Sequence, residues 1–371
     1  MRVLFYTYSL CVGGAEVIAA EYLLMLKERG LEVGLVEDFR SDTFLSRKLA
    51  DSGIPVYTLW NGNVDAPFGW KRKAIARKAG LWRGFNRILR RFQPDVLHFH
   101  GMPDHMERLD FPANRMLYTF HSEIRRNLES LGPKNTAVLR EMNRQGLLLC
   151  ALTQAAAEDV RGIFDTRRVF CVPNGMNYDE IRTQRYTRAQ LSQLLGIPET
   201  GFLLGTVGRL HPVKNHERAL RIFREVKKIS PDARLVLVGG DWDGRMAKLQ
   251  AQAREYGIEG DVFFTGVRQD AAAITAAMDC FFLTSLSESF GLVALEAQAQ
   301  GVRCVCSQVV PQECLCRQDA VGLSLEEADL SWAEAILHGN RKNPNPGDFD
   351  IFEIHHVIDS LVETYQRIIH A

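Results

Sequence analysis

The stretch Thr284–Gly301, TSLSESFGLVALEAQAQG, sets the tightest limit on what this chain can fold into. Leu292, Val293, Leu295 and Ala299 recur at helical spacing. A helix is therefore expected to start near Phe290 or Gly291, leaving Glu288 in the loop before it. The apolar run Cys280 to Leu283 leads into that loop and reads as a strand. A glycine at a helix start lets a ligand approach free backbone N–H groups, and the positive end of the helix dipole attracts phosphate. Glu288 and Glu296, eight positions apart, thus have different surroundings, one in a loop and one on a helix. An ordinary capped helix packed on a parallel sheet fits the same pattern, so the rest of the chain has to separate the two readings.

Strand, loop and helix alternate on both sides of this stretch. Arg2 to Tyr8 reads as a strand, Gly13-Gly14 as a turn, Ala15 to Arg29 as a helix with Val17, Ile18, Tyr22, Leu23 and Leu26 on one side, and Glu32 to Val36 as the next strand. This is the βαβ start of a doubly wound sheet. It lacks the G-x-G-x-x-G whose glycines bring a pyrophosphate to the helix N-terminus, which argues against a dinucleotide-dependent dehydrogenase. Further strands are expected at Val96–Phe99, Met116–Phe120, Leu147–Thr153 and Val169–Val172, before the turn Pro173-Asn174-Gly175. The second half repeats the alternation, with strands at Phe202–Val207, Arg234–Val238 and Val262–Gly266, a helix at Glu217–Lys228, and a buried strand over Val302–Val305. A chain of 371 residues has room for two domains that each bury a core. The expected division is 1–176 and 177–350, followed by 351–371, where Ile354, Val357, Ile358, Leu361, Val362, Tyr365 and Ile368 mark one face of a last helix.

Composition narrows the partners. Formal charge balances at zero and no basic domain appears, which argues against nucleic acid. The opening VLFYTYSLCV is short, holds Thr7 and Ser9, and reads as a first strand rather than a signal peptide; no apolar run reaches the 18 or so residues of a membrane span. Cys304, Cys306, Cys314 and Cys316 lie on and just after an apolar strand and are read as buried free thiols, implying a reducing cytoplasm. Three metal alternatives stand beside the structural readings of the same residues: these cysteines, His98 with His100 on one face of a strand, and the D-x-D of Asp241 and Asp243. From Trp70 to Arg91 the chain has nine basic residues and no acid, interleaved with apolar ones including Trp82. Such a segment suits an anionic membrane surface, and equally a solvated helix whose apolar side packs on the sheet.

In its setting SESFGLVALEAQAQG, the pair Glu288 and Glu296 resembles the E-x7-E of the retaining glycosyltransferases of family 4. That family has the GT-B fold, an α/β class with two Rossmann-like doubly wound domains facing a central cleft. Similar segments run through nearly the whole chain: Gly13-Gly14-Ala15-Glu16, TFHS around His121, PNG at Pro173–Gly175, VGRLHPVKNH with Gly208, Arg209 and Lys214, and FTGVRQD with Val267 and Arg268. Met176 and Asn177 stand where the family more often has isoleucine and aspartate.

The resemblance implies an acceptor-binding first domain and a nucleotide-sugar-binding second one, with the last helix returning to the first. It assigns His121 to the donor sugar and acceptor, Arg209 and Lys214 to the leaving diphosphate, Glu288 to the sugar hydroxyls and Glu296 to the ribose. Gly14 and Gly208 would lie near the donor phosphates, Val267 and Arg268 near the base, and Ser289, Phe290, Gly291 and Leu292 would complete the donor site. Fixed cations would replace a metal, so neither metal nor cofactor is expected. The implied activity is transfer from a nucleotide sugar, with UDP-sugars favoured, to a glycan or lipid-linked acceptor in cell-surface polysaccharide synthesis. The implied location is cytoplasmic, peripheral on the inner face of the plasma membrane through Trp70–Arg91. Two rivals share the fold: a catalytically inert partner subunit, against which His121, Arg209, Lys214 and Glu288 argue, and a sugar-nucleotide epimerase or phosphorylase.

Overall fold

Short apolar runs become the parallel strands of two sheets. The computed structural model describes residues 1–10, 13–60, 80–241, 244–339 and 344–370. They form two units, Met1–Gly175 with Ile354–Ala371, and Met176–Glu353.

The first unit runs β1 (Arg2–Thr7), α1 (Gly14–Glu28), β2 (Glu32–Phe39), α2 (Phe44–Asp51), β3 (Val56–Trp60), α3 (Trp82–Phe92), β4 (Val96–Phe99), β5 (Met116–Thr119), α4 (Ile124–Arg144), β6 (Leu148–Ala151), α5 (Gln154–Phe164) and β7 (Val169–Cys171). Its strands lie in the order β3-β2-β1-β4-β5-β6-β7, all parallel. Val3, Leu4, Phe5 and Tyr6 are fully buried, as expected for a strand covered on both faces. Strand β2 runs three residues past its expected end, taking Glu37 and Asp38 inside. The Glu37 carboxylate is tolerated there because the Leu10 and Ser41 N–H groups (both 3.4 Å) and the Thr58 hydroxyl (2.8 Å) donate to it, although burial still pushes its pKa up.

Helix α3 is the described end of the basic segment; Trp70 and the cations from Lys71 to Lys78 lie outside the described residues. Phe85, Leu89 and Phe92 are buried in the core of this unit, with Trp82 and Ile88 packed against it. The Trp82 ring has the Arg83 and Arg108 guanidinium carbons 5.1 and 5.6 Å from its centroid. Trp82 is therefore a packing residue of this unit, whereas Arg83, Arg87, Arg90 and Arg91 are exposed.

The second unit runs α6 (Tyr178–Thr183), α7 (Arg188–Leu195), β8 (Leu203–Val207), α8 (His216–Ile229), β9 (Arg234–Val238), α9 (Arg245–Glu255), β10 (Val262–Gly266), α10 (Ala271–Ala276), β11 (Cys280–Leu283), α11 (Leu292–Ala299), β12 (Arg303–Ser307), β13 (Val321–Leu323) and α12 (Asp329–Leu337). The sheet order is β10-β9-β8-β11-β12-β13, again all parallel. Its core gathers Leu220, Phe223, Leu235, Leu237, Phe282 and Trp332. The described cysteines are free thiols, with Cys280, Cys304, Cys306 and Cys314 buried; Cys316, expected to be buried, is half-buried in the connection between β12 and β13.

The last helix, α13 (Ile354–His370), packs on the first unit. Val357, Ile358 and Leu361 are buried, Asp359 pairs with Arg29, and the Tyr365 hydroxyl lies 2.7 Å from His98 Nδ1. In each sheet the strand order reverses beside the first strand, between β1 and β4 and between β8 and β11. The loops leaving the carboxyl ends of such a pair diverge, and open α/β sheets place ligands in the crevice between them.

Candidate functional site

In the second unit the diverging loops are Gly208–Asn215 after β8 and Thr284–Gly291 after β11. They are strapped together. The Leu286 N–H donates to the Val213 carbonyl (2.7 Å), and the Thr284 hydroxyl reaches the carbonyl oxygens of Lys214 (3.2 Å) and Asn215 (3.0 Å). These straps bring Lys214 Nζ to 2.6 Å from Glu288 Oε1, and the Ser285 hydroxyl donates to the same oxygen at 2.6 Å. The pair is largely sheltered, with 21% of the Lys214 side chain and 10% of the Glu288 side chain exposed. Ser285 is itself fully buried, its carbonyl held by the Ser307 hydroxyl at 2.8 Å.

Gly291 caps α11 with a left-handed φ of +85°, and a Cβ there would stand 2.9 Å from Val310 Cγ1. Only glycine meets both demands. The first N–H groups of α11 have no acceptor within the helix, so its head faces the loop as a partial positive charge. On the other side, Gly208 and Leu210 donate N–H bonds to Val238 (2.8 Å) and Gly240 (2.9 Å), and any Cβ at Gly239 would overlap the Gly208 carbonyl oxygen. The backbone around Arg209 is thus fixed, while its exposed guanidinium makes no ion pair with a described residue. Glu296, in the second turn of α11, is partly buried, and burial pushes its carboxyl up to about 7.

The other expected donor contacts are placed as follows. Val267 is half-exposed. Arg268 is already engaged in a fork with Asp270 (Nε–Oδ1 2.7 Å, Nη2–Oδ2 2.6 Å), to which the Tyr186 hydroxyl also donates at 2.7 Å. The Arg268 guanidinium holds the Asp270 carboxyl below the usual range. Phe290 is buried edge-to-face on Phe352, ring centroids 5.6 Å apart, so its backbone rather than its ring borders the loop. Ser289 and Leu292 are partly buried beside it. Asp241, the first acid of the D-x-D, accepts the N–H groups of Arg245 (2.8 Å) and Met246 (2.9 Å) and so serves the start of α9, whereas Asp243 lies outside the described residues. No group of three or more His, Cys, Asp or Glu among the described residues is placed to hold a metal ion.

In the first unit, Gly14 opens α1, and the Glu16 carboxylate folds back so closely over Gly13 that a Cβ there would collide with it. His121 follows β5, with Nε2 2.7 Å from Nδ1 of His100 and the two rings stacked at 4.9 Å. Burial lowers the His121 pKa to about 4, so its ring is neutral at pH 7. His98 is committed inward through both nitrogens, to the hydroxyls of Tyr365 (2.7 Å) and Thr119 (2.8 Å), which removes it from the metal pair weighed above. Two residues escaped the sequence reading, Ser285 and Asp270, and His100 entered it only as half of a metal pair with His98. Only Ser285, three residues before Glu288 in a small polar loop, left a local trace.

Residues 12–180 match the family described as Glycosyltransferase Family 4, and residues 187–337 the family described as Glycosyl transferases group 1. The chain is 29% identical over 192 residues to "Putative glycosyltransferase EpsF" of Bacillus subtilis (strain 168), covering 51% of this chain and 49% of that protein. It is 29% identical over 181 residues to the UDP-Gal:alpha-D-GlcNAc-diphosphoundecaprenol alpha-1,3-galactosyltransferase of Escherichia coli, covering 47% and 45%. The chain thus spans about half the length of the curated relatives it matches. Among solved structures, Anabaena HepE in complex with UDP and glucose superposes with a TM-score of 0.77 at 19% identity, over 99% of this chain and 100% of that one. Sucrose-phosphate synthase from Thermosynechococcus elongatus gives 0.76 at 16% identity, over 99% of each. Also, no helix among the described residues is long and apolar enough to cross a membrane.

Proposed function

Since the chain belongs to the family 4 glycosyltransferases and has the GT-B fold, we propose that it moves a hexosyl or N-acetylhexosaminyl group from a UDP-sugar to a hydroxyl of a glycan or lipid-linked acceptor, with retention of configuration. The observation that carries this reading is the cluster of Lys214 Nζ, the Ser285 hydroxyl and Glu288 Oε1, seated where β8 and β11 part and beside the glycine-headed helix α11. Arg209, Lys214 and the head of α11 stabilise the departing diphosphate as fixed charges that need little reorganisation, which takes the place of a divalent ion. Glu288 accepts hydrogen bonds from the sugar hydroxyls and Glu296 from the ribose, while His121 serves the donor sugar. The acceptor oxygen attacks the anomeric carbon as the bond to the diphosphate breaks, and a phosphate oxygen on the same face takes the acceptor's proton.

UDP as the carrier draws support from the names of similar proteins: HepE is described with UDP, and the Escherichia coli relative is named for UDP-Gal. The work we assign is cell-surface polysaccharide synthesis on the cytoplasmic side of the plasma membrane, with the cations of the Trp70–Arg91 segment meeting anionic lipid. The test of the donor reading is a thermal-shift and turnover panel of UDP-, GDP- and ADP-sugars in EDTA. A ligand present at 100 times its Kd adds about 2.7 kcal/mol of stability. Stabilisation by UDP-sugars with glycoside formation in chelator is expected; isomerised nucleotide, phosphorolysis or dependence on added Mn²⁺ contradicts it.

A further inference from the structure

Ser285 enters the candidate site beside Glu288 without a task of its own, and Ser307 stands one bond further back. Ser307 ends β12, Ser285 follows the carboxyl end of the neighbouring strand β11, and both are fully buried. The Ser307 hydroxyl donates to the Ser285 carbonyl at 2.8 Å, which anchors the loop from β12. On the other side, the Thr284 hydroxyl ties the same turn to the carbonyl oxygens of Lys214 and Asn215. The Ser285 backbone is thus braced from both sides, and its own hydroxyl donates to Glu288 Oε1.

Two donors meet on that one oxygen. Lys214 Nζ and the Ser285 hydroxyl each stand 2.6 Å from Oε1 and fill its two lone pairs, while Oε2 receives no bond from a described residue. The two donors differ in kind. Lys214 is a cation on a flexible four-carbon stem with 21% of its side chain exposed, so an arriving diphosphate can draw it away. Ser285 is a neutral hydroxyl on a single rotor in a closed place, and it stays where it is. We propose that Ser285, braced by Ser307, is a positioning residue that keeps hold of Glu288 through Oε1 when Lys214 turns to the diphosphate, so that Oε2 stays presented to a hydroxyl of the transferred sugar. Without that bond the carboxylate would lose its partner as the sugar arrives and swing on its own rotors. Ser285 therefore serves the sugar half of the donor and not the nucleotide half.

The proposal rests on the glycosyltransferase reading for the ligand that Oε2 meets, and the two fail in different ways. Isothermal titration calorimetry on the intact protein gives the Kd for UDP and for UDP-glucose, UDP-galactose and UDP-N-acetylglucosamine, in wild type and in each variant. Ser285→Ala is expected to leave the Kd for UDP unchanged and to raise the Kd for the UDP-sugar that the wild type binds on the order of tenfold, the scale of one hydrogen bond to a charged group. Glu288→Ala should move the ratio of the two constants the same way. Adding Ser285→Ala to Glu288→Ala should move it no further, because the serine acts only through the acid. Ser307→Ala loosens the brace and keeps the Ser285 hydroxyl; it should give a smaller rise for the UDP-sugar alone, and it carries the test if Ser285→Ala does not fold. Equal weakening of UDP and UDP-sugar in these serine variants, no weakening of either, or a further loss in the double variant overturns the proposal and leaves the donor reading standing. A wild type that binds none of the four nucleotides contradicts the donor reading itself and takes the proposal with it.

Discussion

Lys214 Nζ and Glu288 Oε1 stand 2.6 Å apart although 74 positions separate them in the chain. The contact ties the cation assigned to the leaving group to the acid assigned to the sugar, and it exists because the loops after β8 and β11 are laced together by Thr284 and Leu286. Each charge neutralises the other in a sheltered place. With donor bound, the diphosphate and the sugar hydroxyls would divide the pair between them.

Removing either member should therefore cost more in turnover than in folding. Lys214→Ala and Arg209→Ala are each expected to lose about 2.7–4 kcal/mol of transition-state stabilisation, or ~10²–10³ in kcat, by analogy with deleting one preorganised donor. Glu288→Gln should lower turnover comparably while shifting unfolding by only about 1–2 kcal/mol, the range for a charged hydrogen bond in a partly sheltered pair. Steady-state kinetics beside urea titration measures both. Equal losses of stability and activity in Glu288→Gln would mark the acid as a structural member of the loop.

Much of this framework was legible before the fold was known. Leu292, Val293, Leu295 and Ala299 place the helix within two residues of its observed start, and the runs at Arg234–Val238, Val262–Gly266 and Cys280–Leu283 coincide with β9, β10 and β11. Strand β3 went unread because its five residues are only partly buried at a sheet edge and show no clean alternation. The extension of β2 through Glu37 went unread because two acids look like a strand's end, and the groups that satisfy Glu37 come from Leu10, Ser41 and Thr58. The bonds from Ser285 to Glu288 and from His100 to His121 depend on how loops fold and on which strands are neighbours, which periodicity does not encode.

Gly291 should be intolerant of any side chain. Gly291→Ala forces an L-residue to a φ of +85° and sets its Cβ against Val310. The left-handed backbone alone costs roughly 1–2 kcal/mol. A drop of at least that size in unfolding free energy is expected, with partial recovery in Gly291→Ala combined with Val310→Ala. An unchanged midpoint would contradict the role given to this turn.

Glu296 should leave a mark on the pH dependence of stability. Burial raises its carboxyl from 4.5 to about 7, so the folded protein holds this proton more tightly than the unfolded chain does. The resulting stability is complete below about pH 4.5 and is lost as the pH rises through about 7. Glu296→Gln stays neutral throughout. Its stability relative to wild type is expected to rise between those two pH values, by at most ~1.4 kcal/mol per unit, and to level off above. Paired urea titrations from pH 4.5 to 8 measure the gap, and a constant gap contradicts the prediction. The same variant should raise the KM for donor more than it lowers kcat.

The basic segment is expected to hold the protein on anionic vesicles at low salt. Each Lys or Arg near such a surface contributes about 1 kcal/mol, and the attraction should fade as the Debye length shrinks from about 10 Å at 0.1 M salt to about 3 Å at 1 M. Co-sedimentation with phosphatidylserine vesicles compares wild type with a protein carrying Arg72→Gln, Lys73→Gln, Arg77→Gln and Lys78→Gln. Because Trp82 packs within its unit, Trp82→Ala should lower stability and leave vesicle binding unchanged. Equal pelleting of wild type and the four-fold variant, or no binding by either, contradicts the membrane reading.

The most direct test of the central claim is the anomeric configuration of the product. The protein is incubated with a UDP-sugar, a panel of glycan and lipid-linked acceptors, and EDTA, and the new glycosidic linkage is read from its anomeric proton coupling by NMR. The expected result is a glycoside with the donor's own configuration, formed by the wild type and greatly reduced in Lys214→Ala and Glu288→Gln. An inverted linkage, or a retained one formed equally well without Lys214 and Glu288, would contradict it.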